Sequence, residues 1–220
     1  MHIPDGFISP STSIVALAVA IPLWWYGIKQ TKKLLESSED SVTFLSSMTA
    51  FSFLIMMINV PIPGGTSGHA VGMGVLAILL GPWTAFIAIS AVLFFQAVLF
   101  GDGGVLTLGA NSLAMGFIGS FASYYLYKLL DNRVSKPITL FVSGYGGMVA
   151  ASIAVALILG IQPILFAENG KALYFPFDLS VTIPAVVGSH MLIFGAIEGL
   201  VTVAVVKFFE KVKGTSYVNA

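Results

Sequence analysis

Met1 and His2 open the chain, and together they offer three nitrogens that fit one plane. The α-amine of Met1 and the amide nitrogen of His2 close a five-membered ring around a metal ion. The same amide and Nδ1 of His2 close a six-membered ring. The amide must lose its proton for this, which only some divalent metals drive, and square-planar nitrogen donors point to Cu(II) or Ni(II). One position in the plane stays open, and a second histidine fills it. The candidate is His69, which ends the run PIPGGTSGH at the start of an apolar stretch, behind a loop with little side-chain bulk. The residues after His2 suit such a terminus. Pro4 pushes Ile3 toward an extended conformation, and Pro4-Asp5-Gly6 is a turn sequence that would tuck the terminus back into a bundle. The run SPSTS then supplies a helix start, with Ser or Thr as its cap. A large residue at position two is expected to block removal of Met1, which keeps the amine in place.

The elements that must carry this terminus are membrane helices. Hydrophobic residues make up 57% of the 220 and charged residues 9%, against roughly 25% charged in a soluble domain. The chain lacks the polar surface to face water all round, and it has no alternating ten-residue pattern of an outer-membrane barrel. Its basic and acidic residues balance at 10 each, so net charge implies no nucleic-acid partner. With no cysteine, disulfides, thiolate metal sites and Cys nucleophiles are excluded. The first basic residue, Lys29, follows the first apolar stretch. A secretory signal needs positive charge before it, so the N-terminus is expected to stay on the chain.

The apolar runs predict an all-α polytopic membrane protein with seven transmembrane helices over 12–28, 42–60, 70–81, 83–100, 107–130, 138–162 and 180–206. No linker divides them, so residues 1–220 read as a single membrane domain, with 1–11 as its metal-chelating N-terminal segment. The third helix is short, and the prolines and glycines before it forbid a regular helix. Residues 61–69 therefore read as a re-entrant glycine-rich loop, tolerated at membrane depth only inside protein or along a cavity. The Gly81-Pro82 break must be a turn and not a kink. With seven spans, nine of the ten basic residues fall on one side and only Lys171 on the other; with six, the clusters split. The positive-inside rule selects seven. The N-terminus is then outside, with 61–69, 101–106 and 163–179, and the C-terminus is cytoplasmic. His2 and His69 share the outer side. The small pairs Gly116/Ser120, Gly147/Ala151 and Gly195/Gly199 are expected to pack helices within the chain.

Other polar residues have open roles. Asn111, near the outer end of the fifth helix, either orients a metal-binding histidine or caps the helix after Gly109. Asp102 in FGDGG balances metal charge and attracts cations, or is simply a turn residue; Asp5 has the same ambiguity. His190 and Glu198 lie inside the last helix, where ionisable residues are functional candidates. They are two turns apart and cannot share one metal. His190 is assigned packing or a supporting role, and Glu198 a buried polar contact within the bundle or at a partner interface. Tyr124, Tyr125, Tyr127, Trp24 and Trp25 read as interfacial anchors. The Gly-Lys of ENGKAL lacks the remainder of a phosphate loop, and no H-E-x-x-H is present. The chain is not expected to be an enzyme.

MHIPDGF at the start, PIPGGTSGH before the third helix and GDGGVLTLGANSLAMG at the fifth resemble the CbiM/NikM family. These are the nickel and cobalt substrate-capture subunits (S components) of energy-coupling-factor transporters, and the resemblance covers essentially the whole chain. It implies metal held in a square plane by the N-terminal amine, the second-residue histidine and a loop histidine, here Met1, His2 and His69. Pro4-Asp5 resembles the nickel type, whereas cobalt-type members more often begin Met-His-Ile-Met-Glu-Gly. The implied activity is high-affinity capture of Ni²⁺ from outside, with Co²⁺ as the alternative, in the plasma or inner membrane of a prokaryote. The implied partners are a transmembrane coupling subunit and cytoplasmic ATPases, with a small auxiliary membrane subunit. Many nickel-type chains carry the auxiliary part fused behind the last helix; here it is expected to be a separate chain.

Overall fold

The computed structural model describes residues 1–36, 40–62 and 66–213. Parts of the connection between the first two expected helices, of the 61–69 loop and of the C-terminal tail lie outside these residues. Seven helices account for most of the described chain: α1 (Pro10–Glu36), α2 (Ser41–Met56), α3 (Met73–Leu80), α4 (Pro82–Phe100), α5 (residues 108–130), α6 (Lys136–Gly160) and α7 (residues 179–213). Both α5 and α7 change pitch on the way. The first is π-helical over Ser112–Gly119, the second over Ile183–Val187 and His190–Phe194.

Local chemistry sets the ends. The Ser9 hydroxyl accepts the Thr12 N–H at 3.1 Å, so Ser9 caps α1 and Pro10 takes its first position, where its missing N–H costs nothing. Gly81, at φ 80° and ψ 157°, makes a corner that only glycine adopts readily. The corner is a true reversal. Trp83 packs on Phe121 and Phe86 on Phe117, so α4 runs against α5, whereas Met73 at the start of α3 already lies at Gly119.

Two details differ from expectation. The fold is not purely helical: two antiparallel ribbons join the helices, Val60–Ile62 (β1) with Thr66–Gly68 (β2), and Ala167–Glu168 (β3) with Lys171–Ala172 (β4). The segment leading to His69 is thus largely hydrogen-bonded ribbon. The third helix begins at Met73 rather than 70, because Gly72 adopts a left-handed φ of 77° ahead of it. Its eight residues rise only about 12 Å, well short of the roughly 30 Å of a bilayer core. All eight are buried, between α4, α5, α6 and α7. Among the described residues, four helical stretches are long and apolar enough by themselves to cross a membrane: Pro10–Glu36, Pro82–Phe100, Lys136–Leu165 and Leu179–Val212. α2, at 16 residues, is apolar but shorter.

The small residues pack inside the chain, as expected. A Cβ on Gly116 would meet Phe86, one on Gly147 would meet Ser123, and one on Gly199 would meet Phe141.

Candidate metal centre

The N-terminal segment is threaded into the bundle. Met1 is 0% exposed, His2 2% and Ile3 0%, and each is held by named groups. The Met1 amine donates to the backbone carbonyl of Ser67 in β2. The Ile3 N–H donates to Asn111 Oδ1 at 2.9 Å. The Ile3 carbonyl accepts from Asn111 Nδ2 at 3.0 Å and from the Thr107 hydroxyl at 2.6 Å. Asp5 closes the strap: its carboxylate accepts the N–H groups of Val105, Leu106 and Thr107 at 3.0–3.3 Å, ahead of α5. The Pro4–Phe7 turn forms, with Gly6 at φ 86° and the Phe7 N–H donating to the Pro4 carbonyl at 3.3 Å.

This threading lays the two histidines together. The rings of His2 and His69 stack with centroids 4.6 Å apart and planes 27° apart. His2 Nε2 lies 3.1 Å from Gln96 Oε1 in α4, and its Nδ1 lies 3.2 Å from Asp102 Oδ1. Asp102 also accepts from Asn59 Nδ2, at 3.1 and 3.3 Å. His69 is 1% exposed. Its Nδ1–H donates to the Ala70 carbonyl at 3.0 Å, so Nε2 carries the lone pair. That Nε2 is buried with no hydrogen-bond partner among the described residues.

Burial governs the charges here. It pulls the Met1 amine from its ordinary 8.0 down to about 4, against the opposing pull of Asp102. It lowers His2 as well, although the bond to Asp102 works the other way. His69 is held well below its ordinary value, first by burial and then by the charges of the amine and His2. Burial pushes the Asp102 carboxyl up, but His2, the amine and Asn59 together bring it below its ordinary value. At neutral pH the centre thus presents an uncharged amine and uncharged imidazoles beside one carboxylate. Among the described residues no group of three or more His, Cys, Asp or Glu side chains is arranged to hold a metal; the donors that converge include the chain terminus.

Of the residues expected to support the site, Asp102 touches His2 directly. Asn111 grips the peptide of Ile3, next to His2, and its Nδ2 also donates to the Thr107 hydroxyl at 3.3 Å, at the start of α5. His190 is one contact removed. Its Nδ1–H donates to the Val186 carbonyl at 2.7 Å, its ring lies against Phe194 at 5.1 Å, and Phe194 occupies the space beside Gly68. Glu198 makes the buried polar contact foreseen inside the bundle, accepting backbone N–H groups at the start of α3. Sequence reasoning missed Gln96, Thr107 and Ser67. Gln96 had a signal, since it is the one amide side chain in the otherwise apolar stretch Pro82–Phe100.

Residues 2–215 match the CbiM family, described as the cobalt uptake substrate-specific transmembrane region. A metal transport protein of Methanocaldococcus jannaschii is 42% identical over 214 residues, covering 97% of this chain and 93% of the relative. The fused nickel transport protein of Rhodobacter capsulatus is 39% identical over 217 residues, covering 96% of this chain; the match spans 62% of that longer protein. Among solved structures, a transition metal transporter superposes with a TM-score of 0.92 at 42% identity, covering both chains completely. The chain belongs to the CbiM family and is a metal-transporter component, a multi-pass protein of the prokaryotic cell membrane.

Proposed function

We propose that this chain is the substrate-capture subunit of an ATP-driven energy-coupling-factor transporter, and that it takes up Ni²⁺ from outside through the Met1 amine, the His2 amide and Nδ1, and His69 Nε2. The observation that carries the reading is the stacking of a buried His2 on a buried His69, whose Nε2 has no partner among the described residues, next to the buried chain terminus. The surroundings of His2 support it. A neutral imidazole has one N–H, yet Gln96 and Asp102 present an acceptor to each of its nitrogens. A cation at Nδ1 removes the conflict: Nε2–H goes to Gln96, and the Asp102 carboxylate faces positive charge. Partners that orient a metal-bound histidine in this way are general at such sites.

In this reading residues 1–220 form one membrane domain of seven spans with the terminus outside. Residues 61–69 form the re-entrant segment that brings His69 to the terminus, and α3 spans only together with it. Its partners in this reading are a transmembrane coupling subunit, cytoplasmic ATPases and a small auxiliary membrane subunit. The relative from Rhodobacter capsulatus, named for nickel transport, supports nickel. The family description, cobalt uptake, keeps Co²⁺ uptake as the second reading.

The deciding experiment compares the chain bearing an unblocked Met1, checked by intact mass, with a chain extended by one residue before Met1. The native form is expected to bind one Ni²⁺ and turn yellow, as diamagnetic square-planar Ni(II) does. The extended form is expected to lose high-affinity binding. Full nickel affinity in the extended chain would show the terminal chelate to be wrong.

A further inference from the structure

Glu198 belongs to α7, far along the chain from every nitrogen in the proposed chelate, yet it grips the segment that carries His69. We propose that Glu198 is a positioning residue for metal capture: from α7 it caps α3 and so fixes where His69 presents its Nε2. This rests on the reading of His69 as a ligand.

The carboxylate is 0% exposed. Among the described residues no Lys, Arg, His or terminal amine nitrogen lies within 4 Å of it. Burying a charge with no compensation is costly, and here backbone amides compensate it. Oε2 accepts the N–H groups of Val71 at 2.8 Å and Gly72 at 3.0 Å, and Oε1 accepts that of Gly74 at 3.1 Å. The N–H groups of Gly72 and Gly74 are among the donors that a helix start leaves without internal partners. The residue before α3, Gly72, has no side chain to cap with, so the cap comes from another helix. Its negative charge also suits the positive end of the helix dipole. The approach is close because Gly74 faces Thr202, one turn beyond Glu198, and Gly144 of α6; a Cβ on Gly74 would lie 2.8 Å from Gly144 Cα.

The grip reaches His69 through two peptides. The Val71 N–H is held by Glu198 and the Val71 carbonyl by the Ser52 hydroxyl of α2, at 2.7 Å. Val71 is thereby pinned on both sides. His69 then bonds the carbonyl of Ala70, the residue between, which turns Nε2 away from the backbone. A carboxylate is required. A glutamine would keep one acceptor and set an NH₂ donor against the N–H groups at the other.

The test uses the full chain with its native terminus, in detergent, read by nickel competition titration and by the absorption of square-planar Ni(II). Glu198→Gln is expected to weaken nickel by about 10- to 100-fold, the range typical when an orienting partner of a metal ligand is lost, and to bleach or shift the square-planar band. Glu198→Asp keeps both oxygens and is expected to fall between Gln and wild type. Ser47→Ala, at an exposed position of α2, is expected to match wild type and serves as the folding control by thermal unfolding. If His69→Ala loses nickel but Glu198→Gln keeps wild-type affinity and spectrum, the positioning role is overturned and the capture reading stands. If His69→Ala itself binds as wild type does, the capture reading falls. Should Glu198→Gln fail to fold, Glu198→Asp and Ser52→Ala decide: both are expected to weaken nickel, and wild-type affinity in both overturns the proposal.

Discussion

The Met1 amine and the imidazoles of His2 and His69 are set for metal by burial, and that setting has a measurable sign. With the amine near 4 rather than 8.0, and both imidazoles lowered, none of these nitrogens carries a metal-competing proton at pH 7. Only the His2 amide must give one up, so Ni²⁺ binding is expected to release about one proton at pH 7, against about two for an amine at its ordinary value. Calorimetry in buffers of different ionisation enthalpy counts them, and two protons would mean that the terminus is solvated. The same shift acts on docking of the terminus. Between the two values the undocked amine holds a proton that the docked one does not, so docking is full above pH 8 and is lost as pH falls toward 4. Metal choice also belongs to these atoms. Amide deprotonation rewards metals that gain from in-plane nitrogen donors, in which Ni²⁺ exceeds Co²⁺, while Zn²⁺ prefers a tetrahedron. Competition titrations near neutral pH are expected to rank Ni²⁺ over Co²⁺ and Co²⁺ over Zn²⁺; zinc displacing nickel at equal concentration would rule out the planar site. Met1, His2 and His69 were readable as candidates because histidine is rare here and position two is chemically special. Gln96 stood out only as a lone amide and Thr107 not at all, since their partners lie about a hundred residues away and no local pattern records such a pairing.

The elements that hold the terminus are short and depend on one another. Asp5 caps the start of α5 from the N-terminal turn, and Asn111, one turn in, holds Ile3. Between them Gly104 leaves room: a Cβ there would collide with the Asp5 carboxylate and lie 2.6 Å from its backbone nitrogen. Gly104→Ala is therefore expected to lift the strap and weaken nickel binding at least about tenfold, the lower end for losing groups that orient a metal ligand. The thermal unfolding temperature is expected to fall as well, because Met1, Ile3 and Ile8 of the lifted segment belong to the apolar core. Wild-type affinity in this variant would show that the strap's position is irrelevant to the metal. The helices were legible because each is an apolar run, and the turn at Gly81-Pro82 because the basic residues demanded it. Their detail was not. The π-helical stretches of α5 and α7 have the same composition as α-helix, and the early residues of the expected third helix go to Glu198, a partner that lies 124 or more positions away.

At the scale of the whole molecule, two ends can be assembled from contacts alone. At one end, Lys136 beside Asp131 reaches Glu210 of α7 at 3.9 Å, and Phe44 of α2 meets Phe209. At the other, the N-terminal segment meets Ser67, Asp102 and Thr107, and the Phe175 N–H donates to the Phe7 carbonyl at 3.1 Å. Lys128, Arg133, Lys136, Lys207 and Lys211 are all carried by the first end, with the metal centre at the second. Cytoplasmic connections of membrane proteins concentrate Lys and Arg, so the first end is expected to face the cytoplasm and the metal centre the outside. The natural chain has no cysteine, so single-cysteine variants report without background. Val134→Cys and Glu168→Cys place a thiol at exposed positions of the two ends. In intact cells a membrane-impermeant maleimide is expected to label Glu168→Cys and to reach Val134→Cys only after permeabilisation. The reverse pattern would turn the molecule over and put the chain terminus in the cytoplasm, where it could receive metal only for export.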